Sequence, residues 1–220
     1  MELIRNLLNE IKIFAKGQTI DALLPTVSFF ILSNRTSLLF AAIFSFLISL
    51  TLLILRLIRK ETWYYSIGGF IGVLIASLFA LTLGQSKNYF LPDIISSFFI
   101  GLGCLITSRM KLPLAAWLSH ITRGWPIEWY KRPDVRPAYF QVTLVWFLFF
   151  FIRFILLLWV YLSGSDLIIF ITNIVMGLPF TLALLSFSYI YGIIKLSSLK
   201  GPGVNELNTP PPWQGQKKGF

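Results

Sequence analysis

An all-α, polytopic membrane helix bundle is the fold class this sequence predicts, and three observations predict it. Of its 220 residues, 56% are hydrophobic and 13% charged, against roughly 25% charged in a soluble globular domain. Apolar runs of about 20 residues, the length that crosses a ~30 Å hydrocarbon layer as a helix, consume most of the chain. Lysine and arginine gather in alternate loops between those runs, the pattern that membrane orientation imposes.

Residues 1–17, MELIRNLLNEIKIFAKG, place Ile4, Leu7, Leu8, Ile11 and Phe14 at helical spacing with polar residues opposite and Gly17 at the end. This predicts an amphipathic helix lying in the membrane interface. Charges at Glu2, Arg5, Glu10, Lys12 and Lys16 interrupt any continuous apolar core, so no cleaved signal peptide is expected. Six membrane segments follow, at about 18–33, 36–56, 65–84, 89–108, 140–162 and 166–195, within a transmembrane domain over 18–198. The first is short and contains Asp21 and Pro25, leaving a spanning, tilted or re-entrant course open.

One set of connections carries Arg5, Lys12 and Lys16, then Arg56, Arg59 and Lys60, then Arg109, Lys111, Arg123, Lys131, Arg132 and Arg136, then Lys195, Lys200, Lys217 and Lys218. The alternate connections hold only Arg35 and Lys87, and Arg153 completes the 19 basic residues. The positive-inside rule therefore predicts both termini in the cytoplasm. A net charge of +10 arranged this way points to anionic lipid headgroups on the cytoplasmic side as partners, not to nucleic acid. Cys104 is the only cysteine, which excludes an internal disulfide and predicts no cysteine metal site.

Small residues predict how the segments pack. Gly68, Gly72, Ala76, Ala80 and Gly84 recur every four residues in the third segment, a helix-packing stripe against which another backbone can approach closely. Ser37, Ala41, Ser45 and Ser49 form a similar row in the second.

The stretch WFLFFFIRFILLLWVYL places Arg153 among uncharged neighbours, roughly 14 Å below the outer end of its segment at 1.5 Å rise per residue. A cation there needs a partner or a wet cavity. Asp93 begins the fourth segment, on a small or polar face with Ser97, Gly101 and Cys104, and Asn173 shares a face of the sixth with Gly177 and Thr181. Arg153, Asp93 and Asn173 are thus the expected intramembrane polar cluster. Three roles stay open: an ion pair with an amide fixing helix register, a site for an anion, headgroup or proton relay, or a cation solvated from the lipid side by bilayer thinning. Pro179 is expected to bend the sixth segment.

Residues 109–139 carry Trp117, Trp125, Trp129 and Tyr130 beside Arg123, Lys131 and Arg132. Tryptophan and tyrosine favour the headgroup level, so this cytoplasmic loop is expected to hug the membrane through Trp117, Arg123, Trp125, Trp129, Lys131 and Arg132, with an interfacial helix near 113–121. His120 lacks the H-E-x-x-H spacing of a metal ligand pair and no nucleophile signature accompanies it. Nine acidic residues scattered singly supply no paired carboxylates. No cofactor, metal site or enzymatic activity is expected. Residues 199–220, GPGVNELNTPPPWQGQKKGF from Gly201 on, predict a flexible tail rich in proline and glycine, with Pro210, Pro211, Pro212 and Trp213 as an alternative docking motif.

The motifs RLIRKETWYYSIGGFIGVLIASLFALTLGQSKNYFLPD, KLPLAAWL, RPAYFQVTLVWFLFFFIRF and MGLPFTLALL resemble, over roughly residues 20–194, the bacterial membrane proteins of domain-of-unknown-function family 3159. Arg56, Glu61, Gly69, Gly72, Gly84, Phe90, Pro92, Pro113, Trp146, Arg153, Gly177 and Pro179 carry that resemblance. LLPTVSFF, KLPL and VWFLFF are more distantly similar to intracellular septation protein A. The resemblance implies a multi-pass architecture and a bacterial inner-membrane address, and no reaction. The expected function is a non-enzymatic envelope-maintenance factor or an accessory subunit meeting other membrane proteins. The alternative is a small transporter or channel built around Arg153.

Overall fold

The structure, a computed structural model, describes residues 23–59, 63–199 and 201–215. The interfacial helix expected over 1–17, together with Asp21, lies outside the described residues. Among those described, regular structure is helical throughout, and each of the six expected segments contains a helix. The first, α1 (Leu23–Ser33), ends where side chains take its last carbonyls. Asn34 Nδ2 donates to the Phe30 carbonyl and Thr36 Oγ1 to that of Leu32, both at 2.8 Å, satisfying acceptors that any helix end leaves open. Ser37 then caps α2 (Leu38–Ile58), its Oγ accepting the Phe40 N–H at 3.3 Å. The next helix, α3 (Trp63–Leu83), stops at Gly84, whose φ of 70° is the left-handed conformation glycine adopts without steric penalty.

A 3-10 turn (Ser86–Phe90) leads into α4 (Leu91–Ser108). The long loop contains α5 (Leu114–Arg123), closed by Gly124 at φ 68°, and a single turn, α6 (Ile127–Tyr130). Then come α7 (Arg136–Ser163), α8 (Asp166–Met176) and α9 (Leu178–Ser197), with a 3-10 turn at Val204–Glu206. The bend expected at Pro179 is a break at Gly177, which separates α8 from α9 at φ −78° and ψ −113°. Proline removes one backbone donor and crowds the preceding turn. Glycine is required there, because an added Cβ would lie 2.8 Å from the Asn173 carbonyl oxygen.

Among the described residues, four helical stretches are long and apolar enough to cross a membrane: Leu38–Ile58, Ser86–Ser108, Arg136–Ser163 and Asp166–Ser197. The apolar stretches Leu23–Ser33 and, within α3, Ile67–Leu83 are shorter. By length and composition this is a membrane protein.

The described residues form two compact units, one of those up to Ser96 with Ile155–Phe180, the other of Ser97–Phe154 with those from Thr181 on. In the first, α2 packs on α3, with Ala41, Ser45 and Ser49 buried along the expected small-residue row. Small side chains let the helices approach closely. Tyr89 closes this core, stacking on Phe29 with ring centroids 4.0 Å apart and placing its hydroxyl 3.5 Å from Ser45 Oγ.

The second unit is built on aromatic side chains. Trp129, Tyr130 and Tyr139 are fully buried with Val135, Val142 and Trp146 around them. Pro113 offers α5 no side-chain cap. Hydroxyls from neighbouring helices take that role: Thr143 Oγ1 accepts the Ala115 N–H and Thr107 Oγ1 that of Leu114, both at 3.2 Å. Thr143→Val should therefore destabilise the protein by about 1 kcal/mol, the usual cost of a lost cap, read as a lower melting temperature in detergent. Thr122→Val, on an exposed face of α5, should change it by less.

Candidate functional site

Of the expected intramembrane cluster, the structure brings together Asp93 and Asn173. Asn173 Nδ2, on α8, donates to Asp93 Oδ2, in the first turn of α4, at 2.7 Å. Both lie in the first unit. Arg153 belongs to the second unit, where its side chain is buried to 9% exposure, leaving little of it to face acyl chains. Ser97 and Cys104, on the expected inward face of α4, are fully buried, and Gly101 brings α4 against α7, where a Cβ would touch Phe150 Cβ at 3.6 Å.

The expected packing stripe of α3 is met in part among the described residues. Ala76 and Ala80 are buried as expected, but the buried face is completed by Val73 and Ser77. A Cβ added at Gly68 or Gly72 would meet nothing within 4 Å among the described residues, and Gly84 is exposed as the helix terminator. Spacing of four residues drifts around a helix of 3.6 residues per turn, so five positions in this register cannot all stay on one face.

The residues singled out in the loop 109–139 divide into three groups. Trp117 is exposed together with Leu118 and Ile121, an apolar strip on α5, and Lys131 is exposed as well. Trp129 presents no surface to a headgroup: it has 0% exposure and packs on Trp125, Tyr130 and Tyr139 at 5.1, 5.3 and 6.0 Å between ring centroids. Burying its large apolar area contributes to the aromatic core of the second unit. Arg123 and Arg132 are engaged by protein groups. The Arg123 guanidinium lies over the rings of Trp125 and Tyr189 at 5.6 and 5.9 Å. Arg132 bonds Asp134 through Nε and Nη2 at 3.0 and 2.5 Å and donates from Nη1 to the Pro202 carbonyl at 2.5 Å.

That last bond helps hold residues 201–215, part of the segment expected to be flexible, against the rest of the second unit. Leu199, Val204 and Leu207 pack against the aromatic core. The Glu206 carboxylate accepts the N–H groups of Gly203, Gln214 and Gly215 at 2.9, 2.8 and 3.0 Å, folding residues 203–215 into a hook. Burial alone would raise the Asp134 carboxyl, but the hydrogen bonds and charge of Arg132 outweigh it and hold the group below its ordinary value. Burial raises the Tyr130 phenol against the Ser119 hydrogen bond and the charge of Arg123, and its hydroxyl donates to Ser119 Oγ at 3.1 Å. His120 Nδ1 lies 2.5 Å from the Trp125 carbonyl oxygen, which fixes its ring within this fold.

A third constellation was not visible in the sequence. In the first unit the ends of α1, α3 and α7 meet the starts of α2 and α8 around an open, polar cleft of about 490 Å³, lined by Ser33, Gln85, Ser86, Lys87, Gly164 and Asp166 among others. Ser86 Oγ donates to Asp166 Oδ2. Lys87 Nζ rests 5.0 Å from the centroid of the Tyr161 ring, whose hydroxyl donates to Asn88 Oδ1 at 2.5 Å. The available signal was that Lys87 and Asp166 each sit at a boundary between apolar runs, but they are far apart in the chain. Among the described residues, no three His, Cys, Asp or Glu side chains gather as metal ligands.

Residues 16–196 match the family model described as "Protein of unknown function (DUF3159)". No curated protein and no solved structure matches this chain.

Proposed function

Since this chain belongs to the DUF3159 family, whose function is unknown, we propose its role from its own geometry: a non-enzymatic multi-pass protein of the bacterial inner membrane, acting as an accessory subunit or envelope-maintenance scaffold. In this role it spans six times, with both termini in the cytoplasm. The observation that carries this is the second unit. The loop 109–139 and the tail, assigned to one side by their basic residues, share a single aromatic core stapled by Arg132 to the Pro202 carbonyl. Such a rigid face suits contact with other membrane proteins. The exposed Trp117, Leu118 and Ile121 suit contact with the bilayer, where Lys131 adds attraction to anionic headgroups.

The opposite connections add support, because three that the charge pattern assigns to the outer side contribute to one cleft. A small transporter or channel remains the alternative, favoured by the hydrogen-bonded Asp93 and Asn173 on apolar helices. Single cysteines introduced into a Cys104→Ala background, then treated with a membrane-impermeant thiol reagent on intact cells, test the topology. Asn34→Cys and Lys87→Cys should label, and Lys131→Cys and Trp213→Cys only after lysis. Labelling of the latter pair on intact cells would reject the orientation. A strictly monomeric protein with no copurifying partner in mild detergent would reject the subunit role, and Arg153-dependent solute flux in liposomes would favour the transporter.

A further inference from the structure

We propose that the cleft between the helix ends of the first unit binds the zwitterionic headgroup of a phosphoethanolamine lipid, with Lys87 taking the phosphate and Asp166 the ammonium. Two opposite charges share this cleft without forming an ion pair with each other: Lys87 rests on the Tyr161 ring, and Asp166 accepts the Ser86 hydroxyl on one oxygen. Lys87 therefore keeps its donors and Asp166 its second oxygen for a ligand. A purely anionic ligand would face Asp166, and a purely cationic one would face Lys87. A zwitterion satisfies both charges at once.

Volume and surroundings narrow the class further. About 490 Å³ falls within the range of small-molecule sites. Next in sequence to the lining residues stand Leu39, Leu83 and Leu167, each more than half exposed, an apolar margin that acyl chains can follow and a free solute would not use. A primary ammonium can donate to the Asp166 carboxylate. A quaternary choline cannot, and it needs an aromatic cage, whereas the Tyr161 ring here already carries Lys87.

Full-length protein in mild detergent, incubated with phosphatidylethanolamine, phosphatidylcholine or phosphatidylglycerol and examined by native mass spectrometry, tests this. Phosphatidylethanolamine should be retained about tenfold better than phosphatidylcholine, the ratio expected for charged hydrogen bonds that one ligand cannot make. Asp166→Asn should abolish that preference while keeping an acceptor for Ser86, and Lys87→Gln should weaken retention of both lipids. Equal retention of the two by the unmodified protein, or stronger retention of phosphatidylglycerol, overturns the assignment without recourse to any variant. An Asp166→Asn protein of unchanged helicity that keeps the preference overturns it too. Excess soluble glycerophosphoethanolamine should leave the lipid bound; full displacement would transfer the site to a free zwitterion and reject the lipid.

Discussion

Trp129→Ala should cost about 3–5 kcal/mol of stability, the range for emptying a buried aromatic site, and should be the most damaging single truncation in the loop 109–139. The indole has no exposed surface and touches the rings of Trp125, Tyr130 and Tyr139, in the same core that receives Leu199, Val204 and Leu207 from the tail. Thermal unfolding in detergent should show the loss. Limited proteolysis should show its spread, because residues 201–215 lose part of the surface on which they pack. Trp117→Ala is the control: at 41% exposure it should alter stability by no more than about 0.5 kcal/mol and weaken binding to anionic vesicles instead. If Trp129→Ala left stability unchanged and reduced vesicle binding, the indole would be a headgroup anchor and not a core residue.

Asn173→Ala and Asp93→Ala should prove coupled by about 1–2 kcal/mol in a double-mutant cycle, the upper range for hydrogen bonds between membrane helices. The 2.7 Å bond from Asn173 Nδ2 to Asp93 Oδ2 joins α8 to α4. Loss of either partner should therefore loosen the same contact, and the double variant should be less destabilised than the sum of the single ones. Strict additivity would show that the pair contributes nothing to the packing of the first unit. The cycle also separates structural from transport roles: a register-fixing pair changes melting temperature with no effect on flux, whereas a transport site changes flux.

Gly177 connects this pair to the break between α8 and α9. Asn173 offers its side chain to Asp93 and its carbonyl oxygen to the space beside Gly177, where any Cβ would intrude. One turn of helix therefore has to satisfy both a polar contact and the break between α8 and α9. Glycine followed two residues later by Pro179 is the combination that allows it.

The sequence alone determined the elements. Apolar composition, the approximate places of the helical segments and the break near Pro179 depend on neighbours within a turn or two of the chain, where 3.6-residue periodicity and local steric rules act, whereas Ser37 and Gly84, expected as packing residues, prove to be a helix cap and a helix terminator. The association of Asp93 with Asn173 was also legible, because uncompensated polar groups on apolar helices have few alternative partners. Only the tertiary structure decided which aromatic residues are core. Trp117 and Trp129 occupy the same loop with similar neighbours in sequence, yet one is exposed and the other buried, since burial depends on what the tail and α7 bring from outside. The cleft is the extreme case: Ser86 and Asp166 are 80 positions apart, and nothing local to either encodes their meeting. Composition and periodicity act along the chain, whereas a core or a binding cleft is a property of which helix ends come to lie side by side.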